Sequence, residues 1–179
     1  MRIIQEQGHT FEEWITPPQI AASIQTVADR ISEDYKNKNP LYIVVLNGAF
    51  MFASDLIRRI NLHCKVTFIR LKSYESTAST GKINFLVPLQ QNIEGRDVIV
   101  LEDIVDTGLT IHQLKAFLVE QGAASIRVAT MLFKPDKLQY HDAEPDYTAQ
   151  RITDEFVIGY GLDWEGFCRN LDAIYKLKE

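Results

Sequence analysis

At 179 residues, 46% hydrophobic and 24% charged, the chain has the size and make-up of one globular domain spanning 1–179. Its formal charge of −5 argues against non-specific binding to nucleic acid, although a local site can oppose the global charge and hold a small phosphorylated ligand. Two distant cysteines (Cys64 and Cys168), no apolar leader and no run near the roughly 20 apolar residues of a membrane span together point to a cytoplasmic protein without disulfides.

Thr16-Pro17-Pro18-Gln19 reads as a helix start, with a capping hydroxyl, proline in the first turn and a box-type glutamine. Ile20, Ile24, Val27 and Ile31 then recur at helical spacing, and 37–40 ends the helix. Leu41 to Leu46 is a continuous apolar run, expected as a strand buried on both faces, and it ends in Asn47-Gly48. A second helical pattern follows through Ala53, Leu56, Ile57 and Ile60, then a strand from Val66 to Leu71. The stretch from Lys72 to Lys82 is small and polar and reads as a long functional loop. Asp97 to Leu101 predicts another buried strand, followed by a turn and a helix with Leu114, Phe117 and Leu118 on one face and Gly122 placed to stop it. Ile126 to Phe133 and Phe156 to Gly159 complete the predicted strands.

Strands alternating with helices predict an α/β fold, a mainly parallel sheet flanked by helices. Ligands of such sheets collect beyond the carboxyl ends of the strands. The segments 47–48, 102–110 and 134–137 fall at those ends and are expected to share one crevice.

The run from Val98 to Thr110 carries the sharpest chemistry. An apolar strand meets Glu102 and Asp103, then Ile104 and Val105, then Asp106-Thr107-Gly108-Leu109-Thr110 opening a helix. Gly108 permits a close turn, and successive backbone N–H groups at the positive end of the helix dipole can surround one phosphate. Thr107 and Thr110 add hydroxyls, while Glu102 and Asp103 are acceptors suited to vicinal sugar hydroxyls. A bare Asp-Thr-Gly would more simply be a helix cap; the full arrangement is far more specific.

That arrangement resembles the phosphoribosyl-diphosphate signature of the type I phosphoribosyltransferases. Leu71-Lys72-Ser73-Tyr74 resembles the start of the active-site flap in their hypoxanthine-guanine branch, and Glu155 to Asp163 the purine-binding segment. Phe167 to Leu171 and Val44 to Gly48 also match, so the resemblance spans roughly 40–171 in family order. It implies the type I fold, with a small hood formed by the terminal regions. It further implies a purine-salvage transferase that joins a 6-oxopurine to phosphoribosyl diphosphate with Mg²⁺, as a homodimer or homotetramer.

Carried onto this sequence, the resemblance assigns the 5′-phosphate to Asp106, Thr107, Gly108, Leu109 and Thr110, and the ribose hydroxyls to Glu102 and Asp103. Asn47, Gly48 and Arg169 would face pyrophosphate, across a Leu46–Asn47 peptide that is often cis in such proteins. Phe156 would stack on the base, the Val157 backbone would bond its edge, and Lys134 would donate to O6, a contact that disfavours adenine. Glu102, Asp103 and Asp163 are the candidate oxygen ligands of Mg²⁺. Asp106 would take the N7 proton, and Ser73 and Tyr74 would close the flap over the site.

Each residue alone has a plainer role. Phe156 and Val157 suit a core strand, Lys134 a solvated loop, Asp163 a cap before Trp164 and Arg169 the surface. Their joint occurrence in family order favours the site. Some relatives carry a cation where this chain has Asn47 and Leu109, and a larger small residue where it has Gly161. His9, His63, His112 and His141 show no metal-binding spacing. Two alternatives remain: a regulatory nucleotide-binding protein on the same fold, disfavoured by the charge and the lack of a helix-turn-helix, and a xanthine-preferring transferase.

Overall fold

The computed structural model describes residues 2–71 and 85–178. Its frame is a six-stranded sheet in the order β5-β4-β3-β6-β7-β8. These strands are β3 (Leu41–Leu46), β4 (Lys65–Leu71), β5 (Phe85–Val87), β6 (Asp97–Val105), β7 (Ser125–Phe133) and β8 (Tyr147–Arg151). All neighbours run parallel except β5, which is antiparallel to β4. The α/β expectation, a mainly parallel sheet flanked by helices, is met.

Side-chain alternation explains the layers. Tyr42, Val44, Ile99 and Leu101 point to the face covered by α1 (Pro17–Asp34) and α2 (Phe50–Ile57), packing with Ile20, Ile24, Val27, Ile31, Phe52 and Leu56. Leu41, Ile43, Val45, Val98 and Val100 point to the other face, where Ile111, Leu114 and Leu118 of α3 (Leu109–Glu120) cover them. The start of α1 follows the sequence reading. Gln19 Oε1 accepts from the Thr16 backbone N–H at 2.9 Å and from its hydroxyl at 2.8 Å.

A second sheet is antiparallel, in the order β1-β2-β10-β9. It comprises β1 (Ile3–Glu6), β2 (His9–Ile15), β9 (Val157–Ile158) and β10 (Ile174–Leu177), around Phe11, Ile158, Ala173 and Tyr175. The two ends of the chain thus build the hood that the resemblance implied. Ile15, Val157, Tyr160, Leu162 and Ile174 pack into the main core, and the Tyr160 hydroxyl bonds Asp55 of α2. The hood is therefore anchored to the sheet by apolar contacts and by a side-chain hydrogen bond.

Several boundaries differ from the expectations. β6 does not stop at Leu101 but continues to Val105, because β7 pairs with it throughout, Glu102 opposite Thr130 and Val105 opposite Phe133. α2 ends at Ile57, with Ile60 buried beyond it. β9 is only Val157–Ile158, so Phe156 and Gly159 flank the strand. β1, β2, β5, β8 and β10 had no counterpart in the sequence reading.

Candidate active site

The crevice opens where β6 keeps one neighbour and loses the other. Pairing of β6 with β3 is recorded only as far as Val44 opposite Leu101, while its pairing with β7 runs on. The chain leaves β3 through a cis Leu46–Asn47 peptide, the conformation that the resemblance suggested. Gly48 lies so close to β6 that a Cβ there would collide with the Asp103 carboxylate. This is the switch point of an open α/β sheet, where such folds hold their ligands.

Glu102 is buried and Asp103 half-buried, both inside the strand rather than beyond it. The Asp103 N–H donates to Glu102 Oε1 at 3.1 Å, and the Ile104 N–H to Asp103 Oδ1 at 2.8 Å. Burial pushes both carboxyls up, and the Asp103 charge drives Glu102 well above the usual carboxylate range. Two crowded acids with too little positive charge between them suit a cation or hydroxyl donors.

The cradle follows at once. Gly108 precedes α3 with φ +84°, the left-handed conformation that favours glycine, and packs against Ala143 and Leu138. The Thr107 carbonyl accepts from the Gln139 and Tyr140 N–H groups at 3.0 and 3.3 Å, which clasps the turn from below. Leu109 N–H meets Thr107 Oγ1 at a long 3.4 Å. The first N–H groups of α3 are those a helix leaves without internal partners, and Leu109 and Thr110 are exposed at its start.

Lys134 leaves the end of β7, tied by its N–H to the Val105 carbonyl at 2.9 Å. Its side chain is nearly buried, and Nζ lies 3.2 Å from Asp106 Oδ2 and 3.1 Å from Asp154 Oδ1. Asp106 Oδ1 is buried with no hydrogen-bond partner among the described residues. Lys134 is therefore not a solvated loop charge.

The hood supplies the opposite wall. Phe156 remains 45% exposed, and its ring meets Trp164 edge-on at 5.1 Å. The Phe156 carbonyl accepts the Leu177 N–H, so antiparallel alternation turns the Val157 N–H and carbonyl away from β10 at the sheet edge. Asp163 does serve as a turn cap, accepting from the Gly166 N–H at 2.6 Å, and also pairs with Arg169 at 2.6 Å. Arg169 further donates to the Gly161 carbonyl at 2.7 Å, so it is structured rather than a free surface residue. A Cβ on Gly161 would strike the Gly48 carbonyl, which brings the hood into contact with the loop after β3.

The candidates thus fall into two neighbouring groups, Asn47, Gly48, Glu102, Asp103 and the cradle on the sheet, and Phe156, Val157, Asp163 and Arg169 on the hood. Among the described residues no three His, Cys, Asp or Glu side chains gather as a metal cluster. Glu102 and Asp103 are neighbours on β6, while Asp163 is engaged by Arg169 and the Gly166 N–H. Ser73 and Tyr74 lie outside the described residues. Asp154 and Trp164 were missed, since one acts through a contact across the sheet ends and the other through aromatic packing in the hood.

Comparison with known proteins agrees with this architecture. The phosphoribosyl transferase domain family matches residues 13–165. The chain is 38% identical over 166 residues to a hypoxanthine-guanine phosphoribosyltransferase of Streptococcus pneumoniae, covering 92% of each chain. It superposes on a crystal structure of a Bacillus anthracis hypoxanthine-guanine phosphoribosyltransferase with a TM-score of 0.87 at 35% identity, covering 94% of this chain and 97% of that one. A Staphylococcus aureus hypoxanthine phosphoribosyltransferase gives a TM-score of 0.88 at 36% identity, covering 93% and 91%. With a family model over most of its length and relatives this similar across nearly the whole chain, the protein belongs to the hypoxanthine-guanine phosphoribosyltransferase family.

Proposed function

We infer that this enzyme transfers the 5-phosphoribosyl group from phosphoribosyl diphosphate to hypoxanthine or guanine, releasing pyrophosphate and the nucleoside monophosphate. The observation that carries the residue-level reading is the contact between Lys134 and Asp106. O6 and N7 are neighbours on one edge of a 6-oxopurine. A cation and a carboxylate held side by side complement that edge, Lys134 donating to O6 and Asp106 accepting at N7.

In the reaction the base N9 forms a bond to the anomeric carbon as the bond to the pyrophosphate oxygen breaks. The N7 proton passes to the Asp106 carboxylate, whose side chain is part-exposed beside Lys134. Thr107, Gly108, Leu109 and Thr110 hold the 5′-phosphate at the start of α3, by backbone N–H groups and the two hydroxyls. The leucine at 109 leaves that contact to the backbone. Asn47 and Gly48, also through backbone, and Arg169 face the pyrophosphate. Phe156 stacks on the base and Val157 meets its edge by backbone groups.

The Glu102–Asp103 pair fits Mg²⁺, because both carboxyls are pushed up by burial and crowding and a cation would relieve that penalty. Asp163 is the third candidate ligand and would share its carboxylate with Arg169. Magnesium binds through one or two protein carboxylates plus substrate phosphates, so a pair of acids beside the pyrophosphate site is a suitable donor set. When bound, the ion neutralises charge on the departing pyrophosphate.

Ser73 and Tyr74 close over the site, a role that rests on resemblance alone. The protein acts in the cytoplasm as a single domain. It assembles as a homodimer or homotetramer, for which Phe50, a 40% exposed aromatic at the start of α2, offers apolar contact surface. Among the described residues no helix is long and apolar enough to cross a membrane. The central test is Asp106→Asn, expected to lower kcat by roughly 10²–10⁴ with folding intact. Turnover at the wild-type rate would remove Asp106 as the proton acceptor.

A further inference from the structure

The Lys134 ammonium touches a second carboxylate that the reaction above leaves unused. Asp154 Oδ1 stands 3.1 Å from Lys134 Nζ, and Asp154 Oδ2 stands 2.8 Å from Lys137 Nζ. Charges therefore alternate along Lys137, Asp154, Lys134 and Asp106. Lys137 first, and Lys134 with it, hold the Asp154 carboxyl below the usual carboxylate range, so it is ionised at neutral pH.

We propose that Asp154 is a positioning residue for base recognition, holding the Lys134 ammonium between two carboxylates so that one N–H stays available for O6. This rests on the reading that Lys134 donates to O6. An ammonium carries three donors. Asp106 and Asp154 take one each, which leaves the third for the base. With Asp154 neutralised, the flexible lysine stem lets the head group settle on Asp106 alone. It would then occupy the Asp106 carboxylate that is assigned to N7.

The chain supplies a second argument. Asp154 lies two residues before Phe156, so the segment that stacks the base also fixes the cation that reads it. A purely structural role is a poor account of this pair. The Asp154 side chain is 54% exposed, and ion pairs that open to water add little stability. The value of the contact then lies in where it places Lys134.

The experiment uses the full chain with phosphoribosyl diphosphate, Mg²⁺ and either hypoxanthine or its 6-thio analogue, whose sulfur is a weaker acceptor than oxygen. Asp154→Asn is expected to raise KM for hypoxanthine roughly 5–10-fold, the size of one ordinary hydrogen bond, because Lys134 is displaced rather than removed. KM for phosphoribosyl diphosphate should stay within about twofold, because the cradle is untouched. The preference for hypoxanthine over the 6-thio analogue should shrink, and Asp154→Glu should restore part of it. An unchanged hypoxanthine KM with unchanged preference overturns the proposal. An equal rise in both KM values with a lowered Tm also overturns it, marking Asp154 as structural. Lys134→Ala separates the two layers. If it leaves hypoxanthine KM unchanged, the O6 reading itself fails; if it raises KM and Asp154→Asn does not, only the positioning role fails.

Discussion

The proposed phosphate side and the proposed purine side of this site are built in different ways. The cradle occupies consecutive residues, 102–110, from the last residues of one strand to the first turn of one helix. The purine side draws Lys134 from the end of β7, Asp154 and Phe156 from the approach to β9, and Asp163 from the loop after β9. Behind Phe156 stands Trp164, which packs on Phe11 at 6.0 Å and His9 at 4.7 Å, and bonds Gln7 by its indole N–H. A local anion cradle needs only one turn of the right conformation. A site that reads the edge and face of a base needs several directions at once, and separate elements must supply them.

If the two sides are separable, a substitution on one should leave the other substrate's KM alone. The largest effect is expected for Gly108→Val. The residue sits at φ +84° with Ala143 and Leu138 against it, so a β-branched side chain is both strained and crowded. KM for phosphoribosyl diphosphate should rise about tenfold or more, following a strain of about 1–3 kcal/mol, with the hypoxanthine KM nearly constant. Parallel loss of both affinities would break the comparison and make the cradle part of a single cooperative site.

Trp164→Leu is the counterpart on the hood. Loss of the edge-on contact with Phe156 should raise hypoxanthine KM roughly 2–10-fold, matching an aromatic pair worth about 0.5–1.5 kcal/mol. Steady-state kinetics with phosphoribosyl diphosphate varied instead should show little change.

The smallest effect belongs to the place where the sides meet, at Gly48, Asp103 and Gly161. Both Glu102 and Asp103 have carboxyls raised in the folded state, so the native protein binds more protons than the unfolded chain across that window. Stability of the ligand-free enzyme should therefore fall as pH rises from the ordinary carboxylate range towards the raised native values. Asp103→Asn keeps an oxygen acceptor for the Ile104 N–H and removes one charge. It should raise the ligand-free Tm at pH 7 by roughly 2–4 °C, even though activity drops, and flatten that part of the pH–stability curve. A lower Tm at pH 7 would contradict the crowding of the pair.

Much of the sheet was legible because a parallel strand buried on both faces is written as a continuous apolar run. Leu41–Leu46 and Val98 to Leu101 are such runs, and α1 announced itself by its box and its spacing of isoleucines. The hood strands were not legible. β1 and β2 are short, half-buried and mixed in polarity, and their partner β10 lies at the far end of the chain. Nothing local marks Ile3–Glu6 as a strand, so the share of residues 3–15 in the purine wall emerged only with the fold.

By itself the sequence determined the succession of α1, β3, α2, β4, β6, α3 and β7 and the residues of a candidate anion cradle, and resemblance pointed to the remaining candidates. A glycine before a helix and two adjacent acids after an apolar run act over a few residues, and such short-range chemistry is visible in a string. Tertiary structure decided the rest. It carried β6 past its acids by pairing with β7, set Asp163 against Arg169, and placed Asp154 and Asp106 on the two sides of one ammonium. Those contacts join residues distant along the chain, and only the packing of the sheet and hood brings their charges together.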